Sequence, residues 1–564
     1  GNVMDPLFET IMKGHLIKMN PDFHEGLVKR EMDKSLHYLD RVFRSAFDSL
    51  GSNIEYLGPR CCRPEEEYRF KLKRNGGNSP SKIRYELARS DLRLVKFDFM
   101  IDGKATHPLL LYVPYCDDTG LMHLRGTAHT ISAVVEDPGV SITQDGCFFR
   151  VTCDKIVIRR TVHTICRDEV NIVQKRIRAQ KHINIPYGKI YRAKQQKANT
   201  NKNPPMPSLP HYLFAKFGVT EAFRRFARTE VVFGTESEIT PEAYPDSEWT
   251  RYYSTRAQHP NNKRPVDWAP TAAAMAVRAL NPSNLTEIMI AGYFYVADCY
   301  PQEFTPGYSD EPDHWRLMMG KMVFNRQVKH VQMTDYLRPH FESLDTYLDA
   351  MAKENLAEEG IVCEDIYEVM VYIIANLDSM INTVNLASVY GKKLAVLPYV
   401  LSPIVHGIFY TKFNLMQQCK QWTVDTTTGE RLMSFTEANL FDAFNRNLKP
   451  EVIYKVKGSD HGEISSIAAP GDNKLFKINN KLVLQQNASG GKGRPSISPM
   501  ADDSRALDVS IADCCAFLHI TKPDPSGRSI ANLYKDLPNN RFEPSVKHNR
   551  LYTQTQALIT RRNI

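Results

Sequence analysis

No two cysteines in this chain are spaced to hold a metal. Eleven are scattered along 564 residues, none forms a C-x-x-C, and the adjacent pairs Cys61-Cys62 and Cys514-Cys515 are of a kind that rarely bond each other. An odd count without a framework fits a reducing compartment better than a secreted disulfide scaffold. A membrane-spanning run is also missing. The longest apolar stretch, Leu394 to Tyr410, contains Pro398, Pro403 and His406 and reads as buried core. No signal peptide opens the chain, and Gly1 to Val3 ahead of Met4 reads as an added scar. A soluble, intracellular protein with no membrane partner is expected.

The usual signatures of chemistry are missing as well. There is no G-x-x-x-x-G-K-[ST]; "SGGKGRPS" has Gly and Lys in the wrong order to cradle a phosphate. Neither H-E-x-x-H nor an Asp-x-Asp-x-Asp cluster suited to Mg²⁺ occurs, and no nucleophile elbow is present. Internal repeats and heptad arrays are absent too. A complete catalytic site on this chain alone is therefore not expected, and no catalytic or metal-binding residue is assigned.

What is there belongs to an ordinary folded protein. At 564 residues the chain is too long for one core, so about two to four domains are expected. The formal net charge of +8 permits a polyanionic partner without demanding one, because clustering of charge matters more than its sum. Residues from about 4 to 55 carry helical spacing, with Leu36, Leu39, Phe43, Phe47 and Leu50 near one face. From about 66 to 165, alternation in "YRFKLKR", "RLVKFDFMID" and "CFFRVTCDKIVIRRTVHTI" predicts strands. Inside that region "GLMHLRGTAHTISAVVEDPGVSI", Gly120 to Ile142, reads as strand, tight turn, short helix and second turn. His123, His129 and His163 lie in or beside strand-like text, which predicts structural roles for them.

A basic stretch follows, "KRIRAQKHINIPYGKIYRAKQQKANTNK", without one acidic residue. Its Lys175, Arg176 and Arg178 are candidates for contact with a DNA backbone; a solvated loop is the competing reading. The prolines of "NPPMPSLP" then separate two units. Residues from about 209 to 380 look largely helical, with Met318, Met319 and Met322 near Trp315 as helix core. More helices run from Asn385 to about 450, including "FTEANLFDAFNRNL". Beyond 455 the text is rich in loops and strands, with "NASGGKGRPS" and "KPDPSGRS" as turns.

These segments, in this order, resemble the N-terminal half of the β subunit of multisubunit RNA polymerases. Gly120, Gly126, Pro138, Gly139 and Val140 hold the places of that family's Gly, Asn-Gly and Ser-Pro-Gly-Val. "LPHYLFAKFGVTEAF" is similar to its proline-led helix ending in Leu-Gly-Tyr, and "MGKMVFNRQ" to its Gly-Arg-aromatic-x-x-Asn segment, with Gly320, Lys321 and Asn325 in register. "CEDIYEVMVYIIANL" and "VNLASVYGKKLAVLPYVLSPIVHGIFY" follow in order. Lys492, Arg494 and Ser496 match the family's His-Lys-Arg-Arg-x-Ser stretch, although Gly491 and Gly493 replace its His and Arg. "IADCCAFLHITKPDPSGRSIANLY" is similar to its Cys-Pro-Ile-Glu-Thr-Pro-Glu-Gly segment. The matches run from about 105 to 535. The chain then stops where a cellular β subunit would continue for about its own length again, which resembles the split subunits of giant bacteriophages.

The resemblance implies a multidomain α+β fold. Residues 1–170 and 381–455 would form the two parts of a protrusion. A mostly helical lobe, 171–380 with a basic linker at 175–208, would be inserted between them, and 456–564 would form a fork region and partner interface. "GGKGRPS", with Lys492, Arg494 and Ser496, would lie near the RNA–DNA hybrid. Asp524 and Arg528 of "KPDPSGRS" would lie at the edge of melted DNA, unless that segment is only a surface turn. Nucleotidyl transfer by two metals needs an Asp cluster. Mg²⁺ is therefore expected on a β′-type partner, with no cofactor on this chain. Further expected partners are the β C-terminal half, N- and C-terminal β′-type subunits, a phage specificity subunit, template DNA and transcript. The enzyme would work in the cytoplasm of an infected bacterial host or travel in the virion. The alternatives are a stand-alone DNA-binding protein and a virion structural protein.

Overall fold

A computed structural model describes residues 27–74, 90–182 (apart from 118–119, 125, 132, 138, 143–145, 154 and 168–170), 207–254, 272–323, 330–383, 390–419 and 421–450. It also describes the short pieces 464–466, 481–483, 530–532 and 537–542. For 159–182 only the backbone path is described. The fold is multidomain α+β. The chain divides into two compact units, Gly1–Ser141 with Asn385–Ile564, and Ile142–Val384, so that one interrupts the other in sequence.

In the discontinuous unit, the helix Ser35–Asp48 buries Leu39, Val42, Phe43, Ala46 and Phe47 on one face, as the spacing predicts. Leu50 is buried just beyond it, while Leu36 is half-buried. The buried face meets an antiparallel sheet in which Leu92–Ile101 pairs with Ile54–Cys61 on one side and Leu109–Pro114 on the other. Phe43 lies 4.6 Å from Phe97 and 5.1 Å from Tyr56, ring centre to ring centre. Phe444 reaches the same cluster from the far end of the chain, 5.3 Å from Phe99. It comes from the helix Glu437–Asn447, whose start is fixed by a capping box between Thr436 and Asn439. The Asn53 side chain seals the junction: its amide donates to Phe435 O at 2.9 Å, and its Oδ1 accepts from Phe435 N at 2.8 Å. The apolar run at 394–410 is core, as predicted, with Leu394, Leu397, Leu401, Ile404 and Ile408 all buried.

Two expectations fail here. "YRFKLKR" is not a strand; it completes the helix Pro64–Arg74. Pro64 pre-sets the first turn, and Glu65, Glu66 and Glu67 sit at the positive end of the helix dipole. Glu66 also pairs with Arg63 and Lys96. The predicted helix within Gly120 to Ile142 is absent. The stretch forms the strands Leu121–Leu124, Thr127–Ile131, Ala133–Glu136 and Val140–Ile142. β-Branched Thr127, Thr130, Ile131, Val134 and Val135 suit a pleated surface. Ala133–Glu136 is buried throughout, a pattern that cannot by itself tell helix from strand. Gly126, at φ 83°, makes the turn between the first two strands.

The contiguous unit carries a sheet ordered Val231–Thr235, Ala273–Val277, Thr250–Tyr253, Lys155–Arg167, Gly146–Arg150, with Asn171–His182 paired to Lys155–Arg167. The largely helical text after 209 is thus interrupted by three strands. Ala273–Val277, "AAMAV", favours helix by propensity. Its five buried residues lie between two strands that pair with it, and tertiary pairing wins. Around the sheet's helices, Trp315 is fully buried and donates from Nε1 to Ser309 O at 2.7 Å. Phe214 and Phe304 lie 4.8 and 5.5 Å away. Met318, Met319 and Met322 are buried with it, as predicted. The helices Leu209–Phe217 and Asn284–Cys299 touch at Gly292, where an added Cβ would lie 2.7 Å from Pro210 Cβ.

Candidate nucleic-acid interface

The first three strands of Gly120 to Ile142 are the hub on which later segments assemble. Thr127–Ile131 pairs with Leu121–Leu124 and with Ile464–Ser466. Ala133–Glu136 pairs antiparallel with Lys393–Ala395 and parallel with Lys481–Val483. Lys481–Val483 pairs in turn with Ile530–Asn532, Val483 opposite Ile530. The predicted residues Lys492, Arg494, Ser496, Asp524 and Arg528 all fall between those two positions, outside the described residues. The described strands on either side of them, Lys481–Val483 and Ile530–Asn532, are neighbours in one sheet.

Charge, as well as strand pairing, holds the hub together. Glu136 is buried, accepts from Tyr399 Oη at 2.7 Å and lies 3.4 Å from Lys393 Nζ. Its neighbour Asp137 is buried too, accepts from Ser141 Oγ at 2.6 Å and lies 3.9 Å from Lys392 Nζ. Lys392 is itself buried. Removing one partner from such a pair leaves the other charge in a dry setting, which is why buried pairs fix register more than they add stability. Sequence reading missed these four residues. The visible signal was two acids ending an apolar run and two lysines opening another.

Of the three histidines expected to be structural, His123 and His129 behave as such. His123 Nδ1 donates to Asp91 Oδ2 at 3.0 Å, and the His123 backbone N–H donates to the same oxygen at 2.8 Å. Asp91 is fully buried and joins the Leu121–Leu124 hairpin to the neighbouring chain. Burial holds the His129 imidazole below its ordinary pKa, with the nearby His123 adding to the shift. His163 stands opposite Lys175 in the paired strands. Among the described residues, no group of three or more His, Cys, Asp or Glu is arranged to hold a metal ion. Among them too, no helix is long and apolar enough to cross a membrane.

Lys175, Arg176 and Arg178 lie in Asn171–His182, a regular strand paired with Lys155–Arg167 from Val157 to Arg167. Lys175 faces His163, Arg176 faces Val162 and Arg178 faces Arg160. These three belong to the contiguous unit; the other predicted residues lie outside the described residues.

Fold and hub together define a multidomain α+β protein in which stretches of chain far apart in sequence are brought to one sheet. The family model for non-virion RNA polymerase subunits matches residues 4–550, and the chain belongs to that family. It is an RNA polymerase subunit. No curated protein matches it.

Proposed function

We propose that this subunit is the N-terminal half of a split β-type subunit of a phage multisubunit RNA polymerase, and that it walls part of the cleft for template DNA and the RNA–DNA hybrid. The observation that carries the reading is the chain's own order. Within a family match over residues 4–550, one compact unit interrupts another, as a lobe interrupts a protrusion. The described insertion, Ile142–Val384, overlaps the lobe expected at 171–380 through most of its length.

In this reading the chain carries no catalytic group. A β′-type partner holds the Mg²⁺ ions that activate the RNA 3′ end and stabilise the departing pyrophosphate. Lys492, Arg494 and Ser496 face the hybrid, and Asp524 with Arg528 lies at the edge of melted DNA. Both segments leave the hub sheet that Ala133–Glu136 anchors. Lys175, Arg176 and Arg178 meet the DNA backbone. The C-terminal β half, the β′-type halves and a specificity subunit complete the enzyme. It acts in the cytoplasm of the infected host, in keeping with the family's description as non-virion.

Purification of the full chain from infected cells under mild salt tests this. Other large subunits should co-elute, one of them carrying Asp-x-Asp-x-Asp. Elution as a self-assembly would favour a virion structural protein, and elution alone with DNA a stand-alone binder. In the assembled enzyme, Lys492→Ala with Arg494→Ala should weaken transcript extension more than DNA binding; equal loss in both assays would remove these residues from the hybrid.

A further inference from the structure

We infer that the outer edge of the hairpin Trp422–Val424 with Arg431–Met433 receives an extended segment of another polymerase subunit, which adds to it as a third strand. That the donor is another subunit rests on the multisubunit reading proposed above; that the edge is open does not. The hairpin lies in the discontinuous unit, and its two strands form a sheet of their own. A two-stranded sheet is marginal in water, and a third strand is one of the usual ways to stabilise it.

Hydrogen bonds show which side is open. Asp425 N donates to Glu430 O at 2.7 Å, and Ser434 N donates to Gln421 O at 3.2 Å. Backbone groups along a strand point alternately to its two sides. Thr423 therefore faces across the hairpin with Gln421 and Asp425, while the N–H and C=O groups of Trp422 and Val424 point away from it. The second strand's outer side is taken: Met433 N donates to Gly51 O at 2.9 Å, and Asn53 N donates to Met433 O at 3.1 Å. No strand among the described residues pairs with the outer side of Trp422–Val424.

This edge is not blunted either. Natural edges often carry lysine, proline or a bulge that discourages pairing. Here the strand reads Trp-Thr-Val, residue types that favour sheets, and all three are exposed. Trp422 is 49% exposed and Val424 63%. The turn beyond them is closed: Gly429 N donates to Asp425 O at 2.8 Å, and Thr427 N donates to Asp425 Oδ1 at 2.8 Å. The strand is thus presented as a formed template.

Side chains select the donor. Register puts Trp422, Val424, Arg431 and Met433 on one face, with Met433 buried and the other three exposed. A strand laid along the edge would set alternate residues beside Trp422 and Val424, where apolar side chains fit. Arg431 lies one strand further in, about 10 Å from the added strand, within reach of a carboxylate on it. Among the described residues Arg431 makes no ion pair. The donor is therefore an extended segment with alternate apolar residues and an acid. A phosphate backbone fits poorly, because Asp425 and Glu430 accompany Arg431 in the same hairpin and outnumber it.

The test is amide hydrogen exchange over residues 421–425, measured on the full chain alone and in the complex that co-purifies with it. In the complex the Trp422 and Val424 amides should exchange at least about fivefold more slowly than in the free chain. Thr423, already bonded across the hairpin, should change less. Val424→Pro removes an outward N–H without touching the inner ladder and should abolish the protection at Trp422. Arg431→Glu should reduce that protection and Arg431→Lys retain it; full protection in Arg431→Glu overturns the acidic donor. Equal exchange of Trp422 and Val424 in the chain and in the assembled complex overturns the proposal. So does protection that nuclease removes, which would make nucleic acid the occupant, or protection of the lone chain that grows with its concentration, which would make it a second copy. If Val424→Pro opens the hairpin, seen as faster exchange at Thr423, Trp422→Ala decides: it must lower the protection at Val424. Absence of any co-purifying subunit would sink the multisubunit reading and the donor's identity with it, whereas subunits that co-purify over a freely exchanging edge sink this proposal alone.

Discussion

The Phe43 core and the Trp315 core are both aromatic, yet they draw on the chain in opposite ways. The first joins Phe43, Phe97 and Phe99 to Phe444, across the whole inserted unit. The second gathers His211, Phe214, Tyr293, Phe304 and Trp315 from one contiguous stretch. A core that closes over a long insertion must offset the entropy of that closure before its contacts form, whereas a contiguous one forms by shorter steps. The contiguous unit should therefore be the more self-sufficient, and the discontinuous one should depend on its late-arriving segments.

The sharpest test compares Phe444→Ala with Trp315→Ala. Each truncates a fully buried ring and should cost about 3–5 kcal/mol. In calorimetry each should lower the melting of its own unit only. If both variants shifted one shared transition equally, the comparison would break. Next in size is Lys392→Met, which leaves Asp137 buried beside an apolar side chain; about 3 kcal/mol should be lost. Chemical denaturation should show less loss when Asp137→Leu is added, since neither member of that pair then carries a charge. A double variant worse than the single would mean that the pair is not the constraint.

Gly292→Ala should follow, at about 1–3 kcal/mol for overpacking against Pro210. Its effect belongs to the contiguous unit, so hydrogen exchange should quicken in the helices Leu209–Phe217 and Asn284–Cys299 and not at the hub. The smallest effect is that of pH. Burial lowers the pKa of His129 in one unit and His314 in the other. On acidification the unfolded chain takes up these protons first. The contribution is therefore present above the ordinary imidazole pKa of about 6.5 and is lost as pH falls below it toward the lowered folded values. Melting at about pH 7.5 and 5.5 should show the loss, and His129→Gln should reduce it for the discontinuous unit alone. A pH response untouched by that substitution would assign the effect elsewhere.

Elements with one wet face were readable from sequence. Ser35–Asp48 shows its period because one side is exposed, and the Trp315 helix announces itself through three methionines. Where burial is continuous the period vanishes. That is why Ala133–Glu136 was expected as helix, and why Ala273–Val277 lay unnoticed in helical text. Pro64–Arg74 failed for the opposite reason: it is mostly exposed, so its alternation carried no burial information while its acidic first turn did. For the candidate site, a run of like charge revealed Lys175, Arg176 and Arg178. Arg160 was hidden in apolar strand text, and only register brings it opposite Arg178. The Glu136–Lys393 pair was beyond reach, because its partners meet only after the inserted unit has been bypassed.

The facing of Val483 and Ile530 has a last consequence. Val483 also stands opposite Val134 in the parallel pairing, so one row of the sheet is shared by three stretches far apart in sequence. A slip of one residue in Lys481–Val483 would turn its side chains to the opposite face and upset both pairings at once.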